Sequence, residues 1–301
     1  MFRTGIIVCL FASFLATSFC SAQQQAKKKK KAPPFQWVNT PQSLPTGVEH
    51  HTFESDIAGE KVGYCIYLPP AYQSRPQQRF PVVYYLHGGR PGSELKSMRL
   101  SKSIHQHISS GSIPDMIYVF VNGGPVSHYN VPAKGYRGAD VFIQELIPHI
   151  DATWRTIAKR ESRGLEGFSQ GGRGTTRLMF RYPELFSSCA PGGAGYSTEK
   201  RISENHGEEN PKLVFAEGDN TWDLARAYVK SNSPELQILI HVGTKGFNYQ
   251  NNLEYMDFLT ELGLTYEKVI VPGVPHSAAK IYEKQGATIM QFHARNFGLQ
   301  K

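Results

Sequence analysis

Apolar residues are arranged in two ways along this chain, and each marks a different kind of element. Stretches 48–55 and 61–68 read as two strands joined by a turn around Ala58-Gly59, and Leu68-Pro69-Pro70 closes the second, because proline has no N–H for a ladder. Further on, the strand candidates become continuously apolar: PVVYYL at 81–86, MIYVFV at 116–121 and QILIHV at 237–242. Such runs fit strands buried on both faces. Shorter candidates are 163–168, 187–190, 212–216 and 266–271. Between them lie helix candidates: 95–109, which has room for one, 139–150 at roughly helical spacing (despite Pro148), 171–180, 221–230, 251–262 and 278–297. In 251–262, Leu253, Met256 and Leu259 or Leu262 share one face. The alternation predicts an α/β protein with a mostly parallel central sheet and helices on both faces. No internal repeat or second boundary interrupts residues 48–301, which read as one domain.

The N-terminus follows other rules. Arg3 precedes the apolar run GIIVCLFASFLATSF at 5–19, which falls short of the roughly 20 residues a membrane span needs. Small residues follow, and cleavage after Ala22 makes 1–22 an export signal. Bulky Phe19 before Cys20 argues against a lipoprotein. Residues 23–47 carry Gln, Lys and Pro without apolar periodicity and read as a linker and loosely held arm. The expected location is therefore secreted or extracytoplasmic, with no membrane span left after cleavage.

Charge changes this picture little. The chain has formal net charge +8, but Arg3 and Lys27 to Lys31 supply six cations with no acid among them, leaving +2 for 32–301. The basic pI belongs to the tether and points to no nucleic-acid partner. The lysine run is a solvated spacer or a contact to an anionic surface. A hydrophobic share of 40% excludes global disorder.

The chemistry concentrates in Gly167-Phe168-Ser169-Gln170-Gly171, which fits G-x-S-x-G. A strand candidate precedes it and a helix candidate follows, the setting of a nucleophile elbow that presents a serine hydroxyl at the sheet edge. Leu86-His87-Gly88-Gly89 follows the 81–86 strand, where an acyl hydrolase places its oxyanion loop, so the backbone N–H groups of Gly89 and Gln170 are the expected oxyanion donors. His87 reads as a structural partner of that loop. The order Ser, acid, His calls for a late histidine, and His276 in Val274-Pro275-His276-Ser277 lies just beyond the last strand candidate. His241 and His293 fall inside a strand and a helix and are poorer bases. Cys and His lack ligand spacing, so no metal is expected, and no dinucleotide or phosphate-loop fingerprint calls for another cofactor.

These residues carry a resemblance. YLPPAY (67–72), VVYYLHGG (82–89), ELIPHIDATWRT (145–156), GFSQGGRGTTRLMFRYPELF (167–186), ILIHVGTKG (238–246) and VPGVPHS (271–277) resemble the esterase group of the α/β-hydrolases, close to carbohydrate esterase family one. That group includes feruloyl and acetylxylan esterases, esterase D and mycolyltransferases. The resemblance covers about 48–297 and implies an α/β-hydrolase fold, Ser169 as nucleophile, His276 as base and the oxyanion pair at Gly89 and Gln170. One position departs. The family's triad Asp follows the seventh strand in a G-x-x-D arrangement, where this chain has Gly246. Asp219, after the 212–216 candidate, is the expected acid; Asp223, Glu254 and an orienting Asn248 are alternatives. The usual sheet order also implies that Cys65 and Cys189 lie four strands apart and remain separate thiols.

The expectation is a secreted serine esterase working through an acyl-enzyme on an acylated carbohydrate or related ester. An exported acyltransferase, or a non-catalytic binder with an incomplete triad, are the alternatives.

Overall fold

The three continuously apolar runs become interior strands of an eight-stranded sheet. The computed structural model describes residues 1–2 and 34–299. Apart from Met1 and Phe2, the export signal expected over 1–22 lies outside the described residues, as does the tether as far as residue 33. Residues 35–301 form one compact unit.

The strands are β1 (Val48–Ser55), β2 (Glu60–Tyr67), β3 (Val82–Leu86), β4 (Ile117–Val121), β5 (Arg163–Phe168), β6 (Ser188–Gly192), β7 (Gln237–Lys245) and β8 (Glu267–Pro275). Their order in the sheet is β1-β2-β4-β3-β5-β6-β7-β8. β1 and β2 form the antiparallel hairpin, β2 is antiparallel to β4, and every pairing beyond is parallel. This is the α/β-hydrolase architecture.

Two layers of helices explain why the inner strands are apolar at every position. Val82, Tyr84 and Leu86 of β3 face one core, while Val83 and Tyr85 face the other. The longer helices are α1 (Ser101–Ser109), α2 (Ile147–Thr153), α3 (Gln170–Arg181), α4 (Tyr196–Glu204), α5 (Thr221–Val229), α6 (Tyr249–Glu261) and α7 (Ala278–Asn296). Ile104 of α1 and Ile281, Ile289 and Phe292 of α7 close one face. Ile150 of α2, Leu178 and Met179 of α3, Ala225 of α5 and Met256 and Leu259 of α6 close the other.

Four expectations change in detail. The helix expected over 95–109 starts at Ser101, after a 3-10 turn at Met98–Leu100. Buried Glu94 explains the delay: its carboxylate accepts from the Asn39 backbone N–H (2.7 Å) and from Asn39 Nδ2 and Asn122 Nδ2, so the preceding segment is fixed elsewhere. The 139–150 helix contains a π-helical stretch at Val141–Leu146, ahead of Pro148, which cannot complete the α-helical ladder. The 212–216 strand shrinks to Leu213–Val214 and pairs with Glu208–Asn210 in a separate ribbon, because Leu213 and Phe215 bury themselves beside Val126, Tyr129 and Ile202. The arm is also less loose than its composition implies. Trp37 is buried, and its carbonyl accepts from the Gly63 N–H (2.8 Å) and from Asn122 Nδ2 (3.0 Å).

Cys65 on β2 and Cys189 on β6 stand four positions apart in the sheet, and both are free and buried. Burial pushes the Cys65 thiol up to about 12, so neither is a ready nucleophile.

Candidate active site

β5 ends at Phe168 and α3 begins at Gln170, so the whole reversal falls on Ser169. Its backbone sits at φ 61°, ψ −112°, a region L residues rarely occupy. Three contacts hold that strain. The Ser169 N–H donates to the Gly192 carbonyl (2.8 Å), the Ser169 carbonyl accepts from Arg173 N–H (3.1 Å), and the flanking glycines let the backbones close. A Cβ on Gly167 would lie 2.5 Å from the Gly171 carbonyl oxygen, and one on Gly171 would run into the Leu86 carbonyl of β3. The G-x-S-x-G spacing is therefore a packing requirement: only glycine lets α3 start this close to β3 and β5.

His276 follows the last residue of β8. Its Nε2 lies 2.8 Å from Ser169 Oγ, and its Nδ1 lies 3.2 Å from Asn248 Oδ1. The amide of Asn248 can point only one way, because its Nδ2 donates to the carbonyls of Gly193 and Ala194, the latter at 3.0 Å. Its oxygen must then face the histidine. An acceptor at Nδ1 requires the proton there, which leaves Nε2 as an acceptor for the serine hydroxyl. Asn252 repeats the clamp, donating to the Ala194 carbonyl (2.9 Å) and the Asn248 carbonyl (2.8 Å). The His276 ring lies between Phe168 and Phe247, with centroids at 4.8 and 4.4 Å. Burial lowers its pKa below the ordinary 6.5.

The carboxylate expected on this histidine is elsewhere. Asp219 is buried, and its two oxygens accept from Arg177 Nη2 and from Arg181 Nη1 (3.0 Å). It makes no hydrogen bond to His276. The cause lies in the fold: segment 212–216 is not a strand of the main sheet, so residue 219 does not stand at a strand end beside β8. Asp223 is held by Asn220, Ser203 and Arg226, and Glu254 by Lys200. Gly246 does lie near the histidine: a Cβ there would be 3.2 Å from Asn248 Oδ1 and 3.7 Å from the His276 N. The neighbouring Asn248 reaches Nδ1 instead. Sequence reasoning ranked Asn248 below Asp219, and the signal that raises it, the pair of carbonyls at 193 and 194, comes from a distant loop.

The 86–89 loop, expected to supply an oxyanion donor, packs directly on the elbow. A Cβ on Gly88 would lie 3.1 Å from the Phe168 carbonyl oxygen and 3.3 Å from Ser169 Cβ. Gly89 has φ 72°, and its carbonyl accepts from Ser127 Oγ at 2.6 Å, which fixes the peptide. Among the described residues, neither the Gly89 nor the Gln170 N–H has a protein acceptor. Behind them, His87 is a structural strut, as its sequence position implied. Its Nε2 accepts from the N–H groups of Ser93 and Gly123 (both 3.3 Å), and its Nδ1 donates to the Gly88 carbonyl (3.1 Å). Desolvation drops its pKa to about 3. The ring of buried His128 lies 4.5 Å away, and burial lowers that pKa too. His241 is likewise buried, stacked on Phe168, and pushed down to about 3.

A cavity of about 360 Å³ opens over Ser169 and His276. A larger cleft of about 540 Å³ beside Trp222 holds paired charges and no such serine. Among the described residues, no group of three or more His, Cys, Asp or Glu could hold a metal ion, and no helix is long and apolar enough to cross a membrane. The arrangement suits nucleophilic chemistry: an oriented imidazole stands within hydrogen-bond reach of the serine hydroxyl, beneath two backbone N–H groups that have no acceptor among the described residues.

Comparisons with known proteins place the chain among esterases. A family profile described as "Putative esterase" matches residues 55–280. An esterase of Mycobacterium tuberculosis is 27% identical over 145 residues, 47% of this chain and 31% of that protein. An endo-1,4-beta-xylanase/feruloyl esterase of Xylanibacter ruminicola is 29% identical over 157 residues, 46% of this chain and 20% of that protein. The chain thus spans about a third or less of these curated relatives. Among solved structures, a ferulic acid esterase aligns with TM-score 0.70 at 21% identity, covering 83% of this chain and 98% of that one. A ferulic acid esterase of Anaeromyces mucronatus aligns with TM-score 0.62 at 20% identity, covering 89% and 97%. At such identities these structures speak to the fold. The family match extends from the end of β1 into α7 and takes in Ser169, the 86–89 loop and His276, so the chain belongs to this esterase family and has the α/β-hydrolase fold.

Proposed function

We propose that the protein cleaves its ester through an acyl-enzyme on Ser169. The hydroxyl oxygen attacks the ester carbonyl as His276 Nε2 takes its proton. The resulting oxyanion is received by the Gly89 and Gln170 N–H groups, and His276 returns the proton to the departing alcohol. Water then repeats the sequence and frees the acid. One oxyanion donor of this kind is worth about 2.7–4 kcal/mol. Asn248, rather than Asp219, keeps the imidazole in the working tautomer. The observation that carries this reading is the 2.8 Å contact between His276 Nε2 and the strained Ser169.

The substrate we infer is an acylated carbohydrate or a related ester outside the cytoplasm. The feruloyl esterase named among the relatives supports the substrate class, and the apolar run before Ala22 supports export. The test is hydrolysis of a chromogenic short-acyl ester with organophosphonate labelling. Stoichiometric label on Ser169, and loss of both label and activity in Ser169→Ala, are the expected results. Labelling elsewhere, or wild-type activity in Ser169→Ala, overturns the assignment.

A further inference from the structure

The cavity over Ser169 has an uneven charge. Lys96 and Arg99 both line it, together with the oxyanion glycines, and no Asp or Glu does. Several cations beside other clefts are neutralised. Lys200 meets Glu254 and Arg226 meets Asp223 beside the larger cleft, and Arg90 and Arg173 share Glu209. Among the described residues, no carboxylate lies within ion-pair distance of Lys96 or Arg99; the Lys96 ammonium donates only to the Pro91 carbonyl. A Cβ on Gly89 would lie 3.7 Å from Lys96 Nζ, so this cation sits against the oxyanion loop itself. Burial alone lowers the Lys96 pKa, in keeping with a partly desolvated ammonium that has no counter-ion. Past Arg99 an adjoining groove adds Lys102 and His107 against a single acid, Glu283. The general surface does not account for this, because residues 32–301 carry only +2.

We propose that the ester recognised here is anionic, and that Lys96 and Arg99 bind its negative group while Ser169 attacks the adjacent carbonyl. The ammonium contributes a point charge and the guanidinium a planar fork suited to a carboxylate. The inference rests on the serine-esterase reading above and adds the charge of the substrate to it. The anion could belong to the acyl part, as in a half-ester of a dicarboxylic acid, or to the alcohol part, as in an acylated uronic acid.

Two matched pairs separate these sources in the full chain. One compares an aryl butanoate with the aryl half-ester of succinic acid; the other compares acetylated glucose with acetylated glucuronate. The expected result is a kcat/KM preference for the charged member of one pair, up to about fivefold per cation, weakening as salt is raised. In Lys96→Gln/Arg99→Gln that ratio should fall to about one. Equal or lower rates for the charged members of both pairs, or an unchanged ratio in the double variant, overturn the proposal. Ser169→Ala keeps the two claims apart. Serine-dependent hydrolysis without charge preference sinks only the anionic subsite. Hydrolysis that survives Ser169→Ala, or no hydrolysis of either pair by the wild type, sinks the esterase reading as well.

Discussion

Asn248→Ala tests the least expected part of the site. The change removes the oxygen that lies 3.2 Å from His276 Nδ1 and the amide that donates to Gly193 and Ala194. A neutral hydrogen bond is worth about 0.5–1.5 kcal/mol net, which is roughly twofold to tenfold in rate. Freeing the ring to rotate or change tautomer adds to that. The ceiling is the loss of about 10⁴ seen when a serine protease triad loses its charged partner, because an amide stabilises the imidazolium less. We therefore expect kcat/KM to fall about 10- to 100-fold, mostly in kcat, with stability reduced by about 1–3 kcal/mol because the Gly193 carbonyl loses its donor. The Ala194 carbonyl keeps Asn252 at 2.9 Å. Asn248→Asp sharpens the test. It would supply a carboxylate, but one oxygen would face two carbonyl oxygens where the amide now donates. We expect it to be slower than wild type at pH 7 and less stable. Steady-state kinetics on an aryl ester and thermal melts read both variants. Wild-type kcat/KM in Asn248→Ala, or a faster Asn248→Asp, would refute the argument that this pocket is built for an amide.

Asp219→Asn should separate stability from turnover: removing the charge beside Arg177 and Arg181 leaves buried guanidinium uncompensated and costs about 3–5 kcal/mol in denaturant melts, while kcat of the folded fraction stays near wild type; a large fall in kcat at unchanged stability would return Asp219 to the catalytic account. Gly171→Ala should abolish soluble folded protein or lower the Tm by many degrees, because the added methyl meets the Leu86 carbonyl; a Tm within a degree or two of wild type would show that the elbow can open. The acid limb of kcat/KM should lie below pH 6.5, because desolvation of His276 disfavours its protonated form and the neutral base persists to lower pH; a limb at or above 6.5 would contradict that environment.

Much of this was legible because local demands were strong. The runs at 81–86 and 116–121 could only be strands covered on both faces, and G-x-S-x-G announced a reversal in which a side chain at either end would strike backbone. The free Gln170 N–H followed from the same turn, and that of Gly89 from the Gly-Gly loop after the 81–86 strand. The acid was not legible, since it depended on whether 212–216 joined the main sheet. Leu213 and Phe215 look equally apolar whether they face the central core or the satellite cluster around Tyr129. Asn248 could be named from its place after β7, but its fixed orientation comes from carbonyls more than fifty residues earlier. Trp37 was hidden in a segment whose polar composition spoke for a linker.

His87, His128 and His241 are buried without charge, so folding this domain is also a proton-release reaction. In the unfolded chain each titrates near 6.5, whereas in the fold His87 and His241 titrate near 3 and His128 well below its ordinary value. Their contribution to stability is complete above about pH 6.5 and is lost as pH falls below it. Each group withdraws about 1.4 kcal/mol per pH unit, so the three together remove about 4 kcal/mol per unit. A domain of ordinary stability, about 5–15 kcal/mol, is exhausted within a few units. The strut that shapes the oxyanion loop thus ties the enzyme to near-neutral surroundings. Calorimetric unfolding at pH 5.5 should take up close to three protons through these groups, seen as a dependence of the enthalpy on the buffer's ionisation heat.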